Sequence, residues 1–493
     1  MIVRRRQCTR TQTLRSNPDL TGSQASAGAE AAPERAAYTR AGREYRSISG
    51  QSKTVSLPPE LISKIIIDAL PDEWADGRPL SIILPASQVS HHFREVCLST
   101  PSLWQHVVYR NDDYLADEIE ALREHLRRSG DASLCIEMGD LDYFEDGAVL
   151  DGDDDCTAEV WRLLFAQSRR WRQALLVLND RVPVPATYTQ PLDVSMLERV
   201  ALVYRAYGGN GIPELPVLCW FANAPALRRL AFTEPFSPSR VLAPWPRLTH
   251  LKITSSMPGS IRECVTILPL CKALEHFVAQ MYKVEVEGTL PVVEVPTLRT
   301  MALRRDAYKI GHYLRAPRLN RLTIRSESAQ SDLDTMVAIA SRGLLLELHH
   351  LSVKDPSVDA LQFGQLLERL PALTHLDVDD MPSGRIDHLD DAATFIDVIR
   401  KAPRLRALSL QLLIFGGRFP EIVDLVDTGL PHLERLNLYN SRGYVQEEEN
   451  AHDYEVWIEH LRLRGVHVET SRIIVGDARS WIKQPREEDW LRF

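Results

Sequence analysis

Apolar residues follow two rhythms along this chain. Between Val55 and Tyr109 the spacing is helical. Leu61, Ile62, Ile65, Ile66, Ala69 and Leu70 share one stripe. Pro58 and Pro59 suit the first helical turn, where a missing N–H costs nothing, and Ser56 stands where a cap belongs. Pro71 ends the stripe. Ala86, Val89, Phe93, Val96 and Cys97 form a second one that Pro101 closes, followed by Leu103-Trp104 as a plug. The pattern predicts a compact helical hairpin.

From Leu103 onward a different phrase recurs, L-x-x-L-x followed by an aliphatic or Phe. Clear copies begin at Leu227, Leu248, Leu319, Leu348, Leu373, Leu405 and Leu433, and looser ones at Leu197, Leu274 and Leu298. Their starts advance by 21 to 32 residues. The last two apolar residues of each copy are two apart, which places them on one face of a short strand. Helices are expected at Asp359–Arg369, Ala392–Lys401 and Glu421–Thr428, closing on Ala-Pro or Leu-Pro pairs such as Ala402-Pro403. Before the first copy the pattern predicts helices at Asp117–Ser129 and Ala158–Gln167, and strands at Leu134–Ile136 and Leu175–Leu178. Trp171 stands where it can plug a turn as Trp104 does. One such unit cannot cover its own apolar edge, but stacked units can. The period is that of a leucine-rich-repeat-like α/β solenoid, a horseshoe with one concave strand face.

The N-terminal hairpin adds a second resemblance. Leu57-Pro58-Pro59-Glu60-Leu61, then Ile65-Ile66, Val89-Ser90-His91-His92-Phe93-Arg94 and Leu103-Trp104 together resemble an F-box. The loop Asp72–Pro79 is longer than the usual pattern, and Phe93 stands where the family more often has Trp. The resemblance implies a trio of helices that grips a Skp-type adaptor of an SCF-type cullin–RING ubiquitin ligase. Leu57, Pro58, Leu61, Ile65, Leu84, Val89, Phe93, Leu103 and Trp104 are the implied adaptor contacts. F-box families join such a module to a leucine-rich solenoid, and the arrangement is similar to the large F-box families of fungi. The implied role is substrate recognition, with no catalysis. The residues alone also allow a helical cap on a leucine-rich interaction scaffold without a ligase role.

The expected organisation is a disordered basic tail (1–53), the helical module (54–109), the solenoid (110–470) and a C-terminal tail (471–493). Few large apolar residues occur in the first stretch, too few to offset its ordering entropy. Arg4-Arg5-Arg6 can also be read as part of a transit peptide or nuclear signal.

Composition narrows the partners. The chain of 493 residues is 44% hydrophobic and 25% charged, with a net charge of −9. That total suggests neither nucleic acid nor a membrane surface. Seven scattered cysteines without CxxC read as reduced thiols, so a cytoplasmic or nuclear protein is expected. No apolar run reaches the length of a membrane span.

The expected concave face is read by phase. Arg229, Lys252, Arg304, Arg321, Arg325, Lys354 and Arg435 lie beside the buried positions, against Asp377 and Asp379. In an acidic chain this surplus suits an acidic or phosphorylated client segment. A solvated sheet face gives the same pattern.

Catalytic signatures are missing: no HExxH, Walker loop, GxSxG or kinase motif occurs. No metal or cofactor is expected. Asp151–Asp155 has Cys156 and Arg162 where a calcium loop needs Gly and Glu, and Asp140–Asp155 reads as a solvated acidic loop. Gly208–Gly211 reads as a turn between repeats, His91-His92 and His349-His350 as surface residues, and Glu447–Glu449 as an exposed loop. An enzyme site built without linear motifs stays open on these grounds.

Overall fold

Among the described residues of the computed structural model, fourteen parallel strands, taken in chain order, build one sheet. Residues 57–70, 80–109, 116–139, 154–179, 190–205, 217–233, 236, 238–255, 260–282, 289–325, 337, 339–340, 345–354, 360–379, 397–411, 419–440 and 448–472 are described. The N-terminal stretch 1–53, the loop Asp72–Pro79, Gly208–Gly211 and 473–493 lie outside them. So does most of Asp140–Asp155, whose last two residues begin a helix.

Among the described residues three helices come first: α1 (Pro59–Ala69), α2 (Leu80–Val89) and α3 (His91–Ser99), closed by a 3-10 turn at Pro101–Trp104. The second apolar stripe is therefore two helices, not one. Ser90 breaks it with an extended backbone at φ −157°, and its hydroxyl accepts from the Phe93 amide at 3.2 Å. That cap satisfies a donor the new helix leaves open.

The sheet begins inside the stretch assigned to the module. Its first strands are β1 (His106–Tyr109), β2 (Leu134–Met138), β3 (Trp171–Asn179) and β4 (Arg199–Arg205). Next come β5 (Arg229–Thr233), β6 (His250–Ser255) and β7 (His276–Met281). A separate two-stranded pair, β8 (Val293–Glu294) and β10 (Leu314–Arg315), flanks β9 (Thr300–Arg305) in sequence. The ladder continues with β11 (Arg321–Arg325), β12 (His350–Lys354), β13 (His375–Asp379), β14 (Ala407–Gln411), β15 (Arg435–Asn440) and β16 (His467–Arg472).

Every copy of the repeated phrase places its apolar residues inside. Leu227, Leu230 and Phe232 are buried, as are Leu373, Leu376 and Val378, and the register stacks each set on its neighbour. The prolines before the first leucine have a defined job. Ala224 carbonyl accepts from the Leu227 amide at 3.2 Å, and the same turn forms at Ala316/Leu319, Leu370/Leu373, Ala402/Leu405 and Leu430/Leu433. Proline is the second residue of each, where its fixed φ suits a β-turn.

The outer side is less regular than helix-per-repeat. Helices occur at Ala116–Arg128, Asp154–Phe165, Ser260–Ile267, Ala360–Leu367, Phe419–Asp424 and Glu448–Leu463. The helix expected over Glu421–Thr428 ends at Asp424 and continues as a π turn, Leu425–Gly429. That expected at Ala392–Lys401 falls partly outside the described residues, with 397–399 helical. Glu448 and Glu449 open the last helix instead of sitting in a loop. Between β5 and Leu248 the described residues hold 3-10 turns at Pro238–Arg240 and Trp245–Arg247, and Val241 forms an isolated bridge to Leu218. A 21-residue step from Leu227 to Leu248 leaves too little chain for a strand, two turns and an α-helix. Trp171 opens β3 fully buried, its ring 5.4 Å from that of Phe165. Gly139, at φ +103°, needs its missing side chain, because a Cβ there would lie 2.4 Å from Cβ of Val177.

Candidate docking surfaces

The helical module has a core of its own. Ile62, Ile66, Ile83, Val96, Cys97, Leu103 and Trp104 form one buried cluster, with Phe93 half-buried against it. Leu103 and Trp104, expected on the adaptor surface, are 0% and 5% exposed and face inward. The reason is local. The 3-10 turn folds them under α3, and the Trp104 indole N–H donates to the Cys97 carbonyl at 2.7 Å.

With that core filled, other apolar side chains stay outside. Leu61 is 48% exposed, Ile65 53%, Leu84 51% and Val89 67%. Leu61 and Ile65 are one helical turn apart and share a face. Ile67 and Leu98, not singled out in the sequence, are exposed as well. The only sequence signal for them was their place between buried positions. The chain divides between Pro58 and Pro59, and Leu57 and Pro58, in the N-terminal unit, are exposed.

Trp104 also ties the module to the first repeat. The His125 ring lies edge-on to the Trp104 indole at 5.2 Å, and its Nε2–H donates to the Trp104 carbonyl at 2.9 Å. Arg128 stacks over the indole at 4.6 Å. Burial pushes the His125 pKa down to about 4. The unfolded chain therefore takes up a proton near pH 6.5 that the folded chain refuses, and stability falls with acid. The melting temperature is expected to drop between pH 6.5 and pH 4, with a shallower slope in His125→Gln. An unchanged slope in that variant rejects His125 as a source.

The second surface is the open face of the sheet. Register sets its side chains in columns. The first runs through Arg199, Arg229, His250, His276, Thr300, Arg321, His350, His375, Ala407 and Arg435. Arg199 was missed in the sequence, although it holds the same phase of the copy starting at Leu197. Two imidazole stacks lie in this column: His250 on His276, 4.2 Å between centroids, and His350 on His375, 5.7 Å. His350 Nε2 contacts an Asp377 carboxylate oxygen at 2.9 Å. Burial, then His276 and the two arginines, hold His250 neutral, with its pKa down to about 3.

The seven expected client contacts are all open-face positions by register, but they do not form one cluster. Arg304 pairs with Arg325, and Arg325 with Lys354, on adjacent strands. Arg229 and Arg435 stand near opposite ends of the first column. Lys252 occupies the middle column, half-buried between Ala231 and Val278 in register. Burial and the neighbouring Arg304 lower its ammonium pKa to about 8.

Among the described residues no group of three or more His, Cys, Asp or Glu gathers as metal ligands. None of their helices is long and apolar enough to cross a membrane. Cys97, Cys135, Cys219, Cys264 and Cys271 are free thiols.

Comparison with known proteins gives little at the sequence level. No family model matches the chain, and no curated protein matches it in sequence. Solved structures do match in shape. A leucine-rich repeat-containing protein from Legionella pneumophila aligns with a TM-score of 0.35 and 14% identity, over 61% of this chain and 90% of that one. A protein from Bacteroides fragilis aligns with a TM-score of 0.32 and 11% identity, over 66% of this chain and 85% of that one. The leucine-rich-repeat-like solenoid stands on the strand order and the stacked leucines described above.

Proposed function

We propose that this chain is a substrate-recognition subunit of an SCF-type cullin–RING ubiquitin ligase. The observation that carries this reading is the exposed apolar set Leu61, Ile65, Leu84 and Val89, on a module whose own core is already filled. Large apolar side chains grouped on a small module suit a partner's apolar groove. A Skp-type adaptor is that partner. Leu57, Pro58 and the half-buried Phe93 are further proposed contacts.

The mechanism is positional. The module anchors the chain on the ligase, and the solenoid holds a client on its open face. Transfer is accelerated because the client lysine has a raised effective concentration near the charged enzyme. This chain supplies no nucleophile and no base. The cations on the open face favour an acidic or phosphorylated client segment. Cytoplasm or nucleus is the proposed compartment, since that is where such ligases act.

A second reading has its own support. The contacts of Trp104 with His125 and Arg128 resemble those of an N-terminal cap, which makes the chain a leucine-rich interaction scaffold. Pull-down by a purified Skp-type adaptor separates the two. Leu84→Ala/Val89→Ala is expected to lower capture about tenfold or more, at about 1.4 kcal/mol per decade. Equal capture of variant and wild type, or none of either, favours the scaffold.

A further inference from the structure

On the outer side of the repeats, four neighbouring segments each leave one aliphatic side chain in solvent. Val217, Leu242, Leu270 and Val292 are between 44% and 58% exposed. The segments adjoin in order. Leu218 bridges Val241, so the chain around Val217 lies beside that around Leu242. The helix Ser260–Ile267 packs on the Pro238–Arg240 turn and runs into the Leu268–Leu270 turn. Strand β8 lies against that second turn and pairs with β10. Beside each exposed residue an apolar neighbour faces the core: Leu218, Val241, Leu268 and Val295 are all buried.

An outward position on an exposed segment calls for a polar residue. Single apolar exceptions are ordinary, but four on adjoining segments make a stripe. Positive charge borders it. Residues 217–228, 240–249, 268–275, 292–299 and 314–320 hold seven Lys or Arg against Glu275 and Glu294. Lys272, Arg299, Arg315 and Arg318 are exposed and have no carboxylate partner among the described residues.

The chain carries a surface of matching chemistry near its other end. The last helix, Glu448–Leu463, contains five Asp or Glu and one Arg. Ile458 and Leu461 turn inward and are buried, yet Val456 is 53% exposed and Leu463 81%. Seven residues separate these two, which puts them on one face, about 10 Å apart along the axis. Glu455 and Glu459 are exposed beside them. The nearby His460 and Arg464 are taken up by Asp427, at 3.0 and 3.2 Å. Arg462 meets Glu459 in an exposed pair at 3.7 Å, which holds weakly. The helix thus offers an apolar and acidic face, and the stripe an apolar and basic one.

We propose that the last helix of one copy docks on the outer stripe of a second copy. Val456 and Leu463 meet Leu242, Leu270 and Val292, with Glu455 and Glu459 toward the basic border. Apolar burial supplies the attraction, and opposite charges set the orientation. The two patches differ, so the contact is head to tail, and each end of a pair stays open for a further copy. The proposal goes beyond the adaptor reading and does not depend on it, since neither patch includes a residue of the N-terminal module.

Sedimentation equilibrium of the full chain over a range of concentrations tests this. Wild type is expected to associate beyond the monomer. Leu270→Glu/Val292→Glu and Val456→Lys/Leu463→Lys are each expected to weaken association by about tenfold or more. Their melting temperatures are expected to stay unchanged, because the replaced side chains are already largely in solvent. An equimolar mixture of the two variants is expected to form a one-to-one dimer and nothing larger, because only one sound helix and one sound stripe can meet. Lys272→Glu/Arg315→Glu keeps every apolar residue and is expected to weaken association severalfold, so the stripe is tested even if its first variant fails to fold. Leu61→Asp/Ile65→Asp is expected to associate as wild type does.

Wild type that stays monomeric up to its solubility limit overturns the proposal. So does association that survives in the folded helix variant, which means that stripe meets stripe. Association lost in Leu61→Asp/Ile65→Asp overturns it in favour of the module. Monomeric wild type that sediments with vesicles of phosphatidylserine and phosphatidylcholine overturns it in favour of a membrane surface.

Discussion

Leu61→Asp/Ile65→Asp is expected to abolish adaptor capture while leaving the melting temperature of the protein unchanged. Both side chains are about half exposed in the free chain, so the folded state loses little packing. A bound adaptor is where the loss falls. Burying each aliphatic chain is worth about 1.5–3 kcal/mol, and two carboxylates in an apolar groove add a desolvation penalty. Together these exceed about 3 kcal/mol, so affinity drops at least about a hundredfold. The neighbouring position gives the contrast. Ile62 is 0% exposed, and Ile62→Asp puts a charge into the module's core. It is expected to unfold the module and so lose capture by another route. Pull-down and thermal melting on the same samples distinguish the two. Should the double variant melt many degrees lower, Leu61 and Ile65 are covered by their own chain and the cap reading gains.

The strand ladder was legible because each repeat writes its structure locally. Leu248, Leu251 and Ile253 are three apolar positions within six residues; all are buried, the last two on β6 in alternation with His250, Lys252 and Thr254. The looser copies at Leu197, Leu274 and Leu298 folded the same way, since Val200, Phe277 and Met301 supply the same apolar face. The outer side was legible in part: helices lie at Ala116–Arg128, Asp154–Phe165 and Ala360–Leu367, within a few residues of the expected ranges, while other steps differ. There the constraint is loop length, and a 3-10 turn or a bridge serves as well as a helix when the step is short. Periodicity also misjudged the module. It follows apolar spacing across Ser90 without registering the cap that breaks the helix. It cannot tell an apolar side chain that fills its own core, as Leu103 and Trp104 do, from one left exposed, as Leu61 and Ile65 are. That distinction depends on where the 3-10 turn lies against α3, which is a tertiary fact. The cationic surplus was visible in phase, and so was the group Arg304, Arg321 and Arg325, because the copies at Leu298 and Leu319 are consecutive; the strand order that skips β8 and β10 places those copies on neighbouring strands.

Phe277→Ala is expected to cost about 3–5 kcal/mol of stability and to split the unfolding transition in two. Phe277 is fully buried on β7, in register with Leu251 on one side and Met301 on the other. Loss of the ring removes contacts at both interfaces of that repeat. In a ladder each repeat leans only on its neighbours, so a weakened middle separates two blocks. The N-terminal block keeps the module and the repeats up to β6. The far block begins at β9 and carries Arg304, Arg321 and Arg325. Between the two transitions the variant is therefore expected to retain adaptor capture while the far block is unfolded. Calorimetric scanning with adaptor capture measured at each temperature checks this. One cooperative transition, shifted by less than about 1 kcal/mol, contradicts the division, because it requires the ring's contacts to be replaced and the ladder to unfold as a single unit. The two docking surfaces then have no independent stability, and client and adaptor binding must fail together on heating.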